Sequence, residues 1–171
     1  YSPSKTVEGT RRLVEQDEVL LIFGNVGTPT NLAIHRYLNT RKVPQLLILS
    51  GANRWNDPRN FPYTVSGMLS SQAEARMYAL HMLATVKEPK IAVLSQNDDF
   101  GRDFVAGLKA QLGDRAKSLI VAEATYEVTD PTVESQMIML KSSGANVFFD
   151  FSNGKFTVQS LRRMGELGWT P

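Results

Sequence analysis

The sequence has no cysteine and only two histidines among its 171 residues. Without cysteine, the chain has no disulfide bonds, thiolate metal sites or cysteine nucleophiles. The absence also suits an oxidising compartment, where a free thiol would be a hazard. The histidines, His35 and His81, lie within predicted helices and have no metal-ligating partner one helical turn further on. We therefore interpret both as structural residues and expect no metal site.

Long apolar runs and clusters of like charge are also missing. No apolar stretch approaches the roughly 20 residues that cross a bilayer, so we expect no direct membrane insertion. The net charge is only +2, and the Lys and Arg residues are scattered along the chain. Nucleic acids are bound by concentrated basic surfaces, so the sequence argues against a nucleic-acid partner.

What the chain does contain is a regular series of short apolar runs. They alternate with amphipathic stretches, and they occupy residues 19–23, 45–49, 90–94, 119–123 and 146–151. Wholly apolar strands that alternate with helices indicate parallel sheets covered by helices on both faces. The sequence therefore predicts an α/β fold with doubly wound parallel sheets.

Capping residues predict where several helices begin. Such signals precede three amphipathic stretches: Ser71 with Glu74, Asp98 or Asp99, and Asp130 with Pro131. The helix after Ser71 carries Met77, Leu80 and Leu83 on one face. A further helix is predicted over residues 4–15, with no strand before it.

Residues 50–70 interrupt the regular alternation with a stretch rich in Asn, Pro, Gly and Ser. We interpret this stretch as a long loop followed by a crossing between two lobes, with residues 1–67 in the first lobe and 68–171 in the second. A single domain with a long surface loop is the alternative.

The first lobe has few strands, and the closing GWTP is typical of the approach to another strand. We therefore expect a fragment of a larger protein, incomplete at both ends.

The turn FGNVGTPTN, residues 23–31, joins the first apolar run to a helix. The N–H groups at a helix N-terminus are unpaired, so an anionic group is the natural occupant of such a turn. The spacing of the two glycines matches neither the dinucleotide fingerprint nor the phosphate-binding loop. Val43 and Gln45 stand where a dinucleotide site needs an acidic residue. We therefore expect no nucleotide cofactor.

The sequence offers little support for an enzyme. It has no G-x-S-x-G elbow, and the carboxylates of NDDFG, residues 97–101, are more simply interpreted as helix caps. Nothing assembles a nucleophile, a base and an oxyanion site. We predict a protein without catalytic activity or cofactor, and turnover or nucleotide binding would reveal the alternative of a doubly wound enzyme.

The loops that follow the strands favour a binding protein, because ligands of open α/β sheets lie beyond the carboxyl ends of the strands. NVGTPT and SGANRW, after the first two strands, are small and polar. The loops after the other three strands bring the aromatic residues Phe100, Tyr126, Phe151 and Phe156. A polar rim that holds an anion, together with aromatic side chains, suits a small organic molecule bearing a carboxylate. The alternative is that these aromatic residues only close the ends of the sheet.

Several long segments carry a resemblance to a known family: LLIFGNVGTPTNLAIHRYLNTRKVPQLLILSGANRW, FPYTVSGMLSSQAEARMYALHML, KIAVLSQNDDFGRDFVAGLK and LRRMGELGWTP. Together they resemble the periplasmic solute-binding proteins of ABC transporters for branched-chain amino acids, the Leu/Ile/Val-binding family. The resemblance implies a type I periplasmic binding fold, with two α/β lobes that hinge closed on a ligand. It implies capture of an amino acid, an aromatic acid or another small carboxylate for a membrane permease. It also implies a periplasmic location, with any signal peptide removed or outside this fragment.

The resemblance also assigns the ligand-binding residues. It implies that the ligand carboxylate is held at Val26, Gly27, Thr28 and Thr30, and that a second binding segment consists of Gly51, Ala52 and Asn53. Further contacts are implied at Phe100, Phe151, Ser152 and Asn153. Asn53 stands where the family usually has a threonine, which favours a ligand other than a plain amino acid. Branched-chain amino acid, aromatic acid and short amide stay open, as does a ligand-sensing domain of a regulator or receptor.

Overall fold

A computed structural model describes all 171 residues, Tyr1 to Pro171. The residues form two compact units, Tyr1–Ser71 and Gln72–Pro171. Each unit contains a three-stranded parallel sheet with helices between its strands, so the predicted α/β class is confirmed. Correspondence of these units to the two predicted lobes stays a prediction. None of the helices combines the length and the apolar character that a membrane span requires.

The first unit is built around a sheet with strand order β1-β2-β3. Its elements are α1 (Pro3–Glu15), β1 (Ile22–Phe23), α2 (Thr28–Arg41), β2 (Gln45–Ile48), a 3-10 turn (Asn53–Trp55) and β3 (Thr64–Ser66). The helix predicted over residues 4–15 is therefore present, and it begins one residue earlier. The long loop of residues 50–70 contains the 3-10 turn and the edge strand β3.

Helices cover only one face of this first sheet. Residues Ile22 and Ile48 point into the core, where Ile22 packs with Ile34 and Leu38 of α2. Alternate positions on the strands leave large apolar side chains exposed, at Phe23, Leu47, Leu49 and Val65. The prediction of cover on both faces is therefore not met in this unit, although the strands are as apolar as the prediction assumed.

The second unit meets that prediction. Its elements are α3 (Ser71–Thr85), β4 (Ile91–Gln96), α4 (Asp99–Leu112), a 3-10 turn (Gly113–Arg115), α5 (Ala116–Leu119), β5 (Ile120–Tyr126), α6 (Glu134–Ser142), β6 (Val147–Phe151) and α7 (Lys155–Glu166). Strand β4 is central in the order β5-β4-β6, and all six of its residues are buried. Val93 packs into the core beneath α3 and α4, and Leu94 packs into the core beneath α6 and α7. Burial on both faces explains why β4 has no polar alternation.

The structure confirms one of the predicted helix caps and contradicts another. Asp98 caps α4 as predicted, because its Oδ1 accepts from the N–H groups of Phe100 at 2.9 Å and Gly101 at 3.3 Å. The start predicted at Asp130 is wrong, since α6 begins at Glu134. The Asp130 carboxylate instead accepts from the N–H of Glu127 at 2.9 Å and closes a local turn, an alternative use of aspartate that competes with capping.

Helix α3 does not pack against the core with the face that was predicted from its large apolar residues. Met77 and Leu80 are about half exposed, whereas Ala75, Ala79 and Met82 are buried. Small side chains on the buried face allow close helix packing, and Gly107 of α4 lies against the backbone of Gln72 in the first turn of α3. The close packing of these helices therefore selects the alanine face.

Candidate functional site

The turn between β1 and α2 lies beside the end of β2. Val26 forms a parallel bridge with Leu49, and the N–H of Gly27 donates to the carbonyl of Leu49 at 3.1 Å. Gly27 has φ +94° and ψ 148°, a backbone conformation that is open to glycine alone. This geometry brings together the first two predicted binding segments, residues 26–30 and 51–53, because the second segment follows β2 directly.

The first turn of α2 contains N–H groups with no acceptor. The helical hydrogen-bond ladder begins with the Asn31 N–H, which donates to the Gly27 carbonyl at 3.3 Å. Pro29 has no N–H, so the orphan donors of the helix start are the N–H groups of Thr28 and Thr30. The Thr30 hydroxyl is not available, since it donates to the backbone carbonyls of Val26 and Gly27. Two N–H groups therefore remain for a ligand.

Three groups lie within hydrogen-bonding distance of the hydroxyl oxygen of Ser50, which follows β2. The indole Nε1 of Trp55 lies 2.9 Å from it, the backbone N of Ala52 lies 3.4 Å from it, and Thr28 Oγ1 lies 2.7 Å from it. All three side chains, those of Ser50, Trp55 and Thr28, are at most 5% exposed. Trp55 therefore fills the loop after β2.

Counting protons fixes the direction of the bond between Ser50 and Thr28. A serine oxygen has two lone pairs, and the N–H groups of Trp55 and Ala52 can only donate to it. Ser50 must therefore donate its own proton to Thr28 Oγ1. The hydroxyl proton of Thr28 then has no acceptor within the chain, so it forms a third unpaired donor beside the N–H groups of Thr28 and Thr30.

The residues around these donors limit access to them. Thr28 is 1% exposed, and the ring of Tyr1 lies against Gly27 at the position that a Cβ atom would occupy. Tyr1 is 56% exposed, and a side chain so exposed changes rotamer without disturbing a core. Val26 is largely exposed at the surface of the turn.

The polar groups of the second predicted segment, residues 51–53, mostly form contacts within the chain. The Gly51 carbonyl accepts from the N–H of Ser71 at 2.7 Å, and a Cβ atom on Gly51 would lie 3.0 Å from that same nitrogen. Ala52 is 2% exposed. The Asn53 Oδ1 accepts a hydrogen bond from the hydroxyl of Ser70. Asn53 is half-buried and is therefore the member of this segment that presents side-chain surface.

His35 lies behind the same loop and is structural, as the sequence indicated. Its ring stacks on Phe61 with centroids 4.0 Å apart, meets Trp55 edge-on, and its Nε2 lies 2.9 Å from Thr64 Oγ1. Burial, followed by the nearby positive charge of Arg54, lowers the pKa of His35 to about 4. The imidazole is therefore neutral at ordinary pH, and the aromatic pair with Phe61 is a partnership that the sequence did not reveal.

In the second unit, three predicted site residues line one cavity of about 320 Å³ near the carboxyl end of β6. They are Phe100, Phe151 and Ser152, and they are joined there by Glu74 and Tyr78 of α3. Phe151 is 4% exposed and stacks on Phe104 at 4.8 Å, so it belongs mainly to the core. Phe100 is half-buried at the edge of that core. Asn153 is not part of this cavity.

Asn153 instead joins a buried chain of hydrogen bonds that the sequence did not reveal. Its N–H donates to the Tyr126 hydroxyl at 3.0 Å, which lies 3.1 Å from Gln96 Oε1. Gln96 Nε2 in turn donates to Asp98 at 2.6 Å, and burial raises the pKa of that carboxyl. Tyr126 is 1% exposed and thus a core residue rather than a ligand contact. These hydrogen bonds link the carboxyl ends of all three strands of this unit.

Phe156, the last aromatic residue of the loops, is 4% exposed and packs against Tyr126. Three of the four loop aromatics therefore close the ends of the sheet, which was the alternative interpretation. No group of three or more His, Asp or Glu side chains is arranged to hold a metal ion.

Comparison with solved structures finds the same fold in several solute-binding proteins. A possible leucine/isoleucine/valine-binding protein from Rhodopirellula baltica matches 100% of this chain with a TM-score of 0.81 at 21% identity. A solute-binding protein of an ABC transporter from R. palustris, in complex with 4-hydroxybenzoate, matches 98% with a TM-score of 0.84 at 20% identity. A second such protein from R. palustris, in complex with benzoate, matches 99% with a TM-score of 0.80 at 18% identity.

The match covers 47%, 45% and 47% of those three chains, so this chain spans less than half of their length. A search of curated proteins finds no match. The periplasmic binding protein family model matches residues 1–171, the whole of this sequence. The parallel sheets agree with the type I periplasmic binding fold that the family resemblance implies. The chain therefore belongs to the periplasmic binding protein family.

Proposed function

We propose that the chain is part of a solute-binding protein that captures a small carboxylate for an ABC transporter. One observation carries the proposal: three donors without acceptors converge at the start of α2, namely the N–H groups of Thr28 and Thr30 and the hydroxyl of Thr28. Donors with a helix dipole behind them favour an anion. Similar proteins of this fold were solved with benzoate and 4-hydroxybenzoate, which supports a carboxylate as that anion.

The composition of the turn favours a carboxylate over a phosphate. Residues 23–31 contain no Lys or Arg, and a dianionic phosphate group is usually met by such a side chain. A singly charged carboxylate needs fewer donors, and its two oxygens can accept from the N–H groups and from the threonine hydroxyl. The turn therefore suits a monoanion that loses its hydration on binding.

The remaining contacts follow the family resemblance and are part of the proposal. Asn53 would meet the polar end of the ligand, and Phe100 would cover its apolar part. Val26, Gly51, Ala52, Phe151, Ser152 and Asn153 complete the proposed set. The proposal includes a periplasmic location, delivery to a membrane permease, no catalysis, and the lobe closure that the resemblance implies, in which a ligand favours the closed state.

Replacing Thr28 by valine tests the anion site. The change keeps the shape of the side chain and removes the hydroxyl, so affinity for a carboxylate should fall by about tenfold to a hundredfold, the value of one hydrogen bond to a charged group. Calorimetric titration of the protein at its natural length with benzoate, 4-hydroxybenzoate and L-leucine measures the effect.

The matched control for this change is Thr10→Val. Thr10 is 4% exposed in α1 and lies outside the turn of residues 23–31, so its replacement should leave affinity unchanged. Equal affinity of the Thr28→Val variant and the unmodified protein would refute the assignment of the hydroxyl. Failure of the unmodified protein to bind any of the three acids would refute the proposed ligand class.

A further inference from the structure

Trp55 is held in place by more than packing. Its indole lies in the apolar cluster of Ile48, Ala52 and Leu32, where it is 3% exposed. Its single polar atom, Nε1, donates to Ser50 Oγ at 2.9 Å. Apolar packing does not require an N–H, so the conspicuous feature of tryptophan at this position is the N–H directed at Ser50.

The indole N–H of Trp55 determines which other hydrogen bonds the Ser50 hydroxyl can accept. With the Trp55 and Ala52 donors in place, both lone pairs of Ser50 are used, and Ser50 must donate to Thr28. Without the indole N–H, one lone pair becomes free. The Thr28 hydroxyl can then donate to Ser50 Oγ, 2.7 Å away. It is then no longer available to donate to a ligand at the start of α2.

We propose that Trp55 is a positioning residue that acts through Ser50 to direct the Thr28 hydroxyl proton at the bound carboxylate. The proposal rests on the proposed function, and it places a determinant of anion recognition three hydrogen bonds away from the ligand. Trp55 itself does not touch the ligand. The relay is buried throughout, so solvent cannot replace the indole as a donor to Ser50.

A double-mutant cycle between Trp55→Phe and Thr28→Val tests this relay, with benzoate, 4-hydroxybenzoate and L-leucine as probes of the protein at its natural length. Trp55→Phe alone should weaken binding of the preferred acid by about three- to tenfold, because the hydroxyl is no longer held in the donating direction. In the Thr28→Val background the same change should have no further effect, since there is no proton left to direct.

Trp169 supplies the matched control. It is the second tryptophan of the chain, 7% exposed, and its Nε1 donates to the Ala145 carbonyl at 3.2 Å in the other unit. Trp169→Phe also removes a buried indole N–H and should leave acid affinity unchanged. If Trp55→Phe does not fold, benzothienylalanine at position 55 replaces the N–H by sulfur and keeps the shape of the ring.

The outcomes separate the relay from the proposed function. A purely structural role for Trp55 predicts equal losses in both backgrounds, and that result, or no loss in either, would overturn the relay. If Thr28→Val has no effect on an acid that binds, the anion site is wrong and the relay has no purpose. If the unmodified protein binds none of the three acids, both proposals fail.

Discussion

Replacing Gly27 by alanine should weaken carboxylate binding by about a hundredfold, with a loss of about 2 kcal/mol in the free energy of unfolding. An alanine cannot adopt φ +94° and ψ 148° without strain, and its Cβ would lie 3.0 Å from Thr30 Oγ1 and against the Tyr1 ring. To relieve the strain, the turn must rotate and lose the bond from Gly27 to Leu49. The N–H groups at the start of α2 then point elsewhere. Titration calorimetry and thermal unfolding measure the two effects.

Gly113→Ala is the control for backbone strain alone. Gly113 also has a positive φ, +58°, at the end of α4, and nothing lies within 4 Å of an added Cβ. Its replacement should cost about 1 kcal/mol of stability and leave ligand affinity unchanged. If Gly27→Ala lowered stability in the same way but bound the acid as tightly as the unmodified protein, the turn would not be the anion site.

Acid should destabilise the first unit through His35. The folded protein holds the His35 pKa at about 4, whereas an unfolded chain has a value of 6.5. Between pH 6.5 and pH 4 the unfolded state therefore binds a proton that the folded state does not, and stability falls as the pH is lowered. Over that window the loss amounts to about 3 kcal/mol, and it levels off below pH 4.

Denaturant unfolding at a series of pH values measures this effect as a difference between variants. His35→Gln removes the titrating group, so its stability curve should be flatter than that of the unmodified protein between pH 6.5 and pH 4. His81→Gln, at an exposed position of α3, is the matched control for replacing a histidine by glutamine. Parallel curves for His35→Gln and the unmodified protein would contradict the assignment of a buried neutral imidazole.

Much of the fold was predictable because it follows from local patterns. The five apolar runs overlap five of the six strands, and the cap at Asp98 follows from chemistry within one helical turn. The errors arose where an alternative partner competed. Asp130 closes a turn rather than capping α6, and α3 buries its alanines rather than its larger apolar residues. Neither choice can be determined without knowing which element packs against which.

The candidate site was predictable only in outline. The turn at Gly27 and its orphan N–H groups follow from a strand that runs directly into a helix. The relay of Thr28, Ser50 and Trp55 could not be predicted in this way. It joins Thr28 to Ser50, 22 positions away, and Ser50 to Trp55, 5 positions away, and its bond directions follow only when the donors and lone pairs of all three residues are counted together. The hydrogen bonds through Tyr126 likewise depend on three strand ends meeting at one edge of a sheet.

The most direct test of the account is to observe the N–H groups of Thr28 and Thr30 while an acid binds. In an amide-resolved NMR titration with benzoate, 4-hydroxybenzoate or L-leucine, both amide protons should move downfield, as expected for N–H groups that begin to donate to a carboxylate. Saturable binding with both resonances unmoved, while amides elsewhere shift, would contradict the claim that the start of α2 holds the ligand.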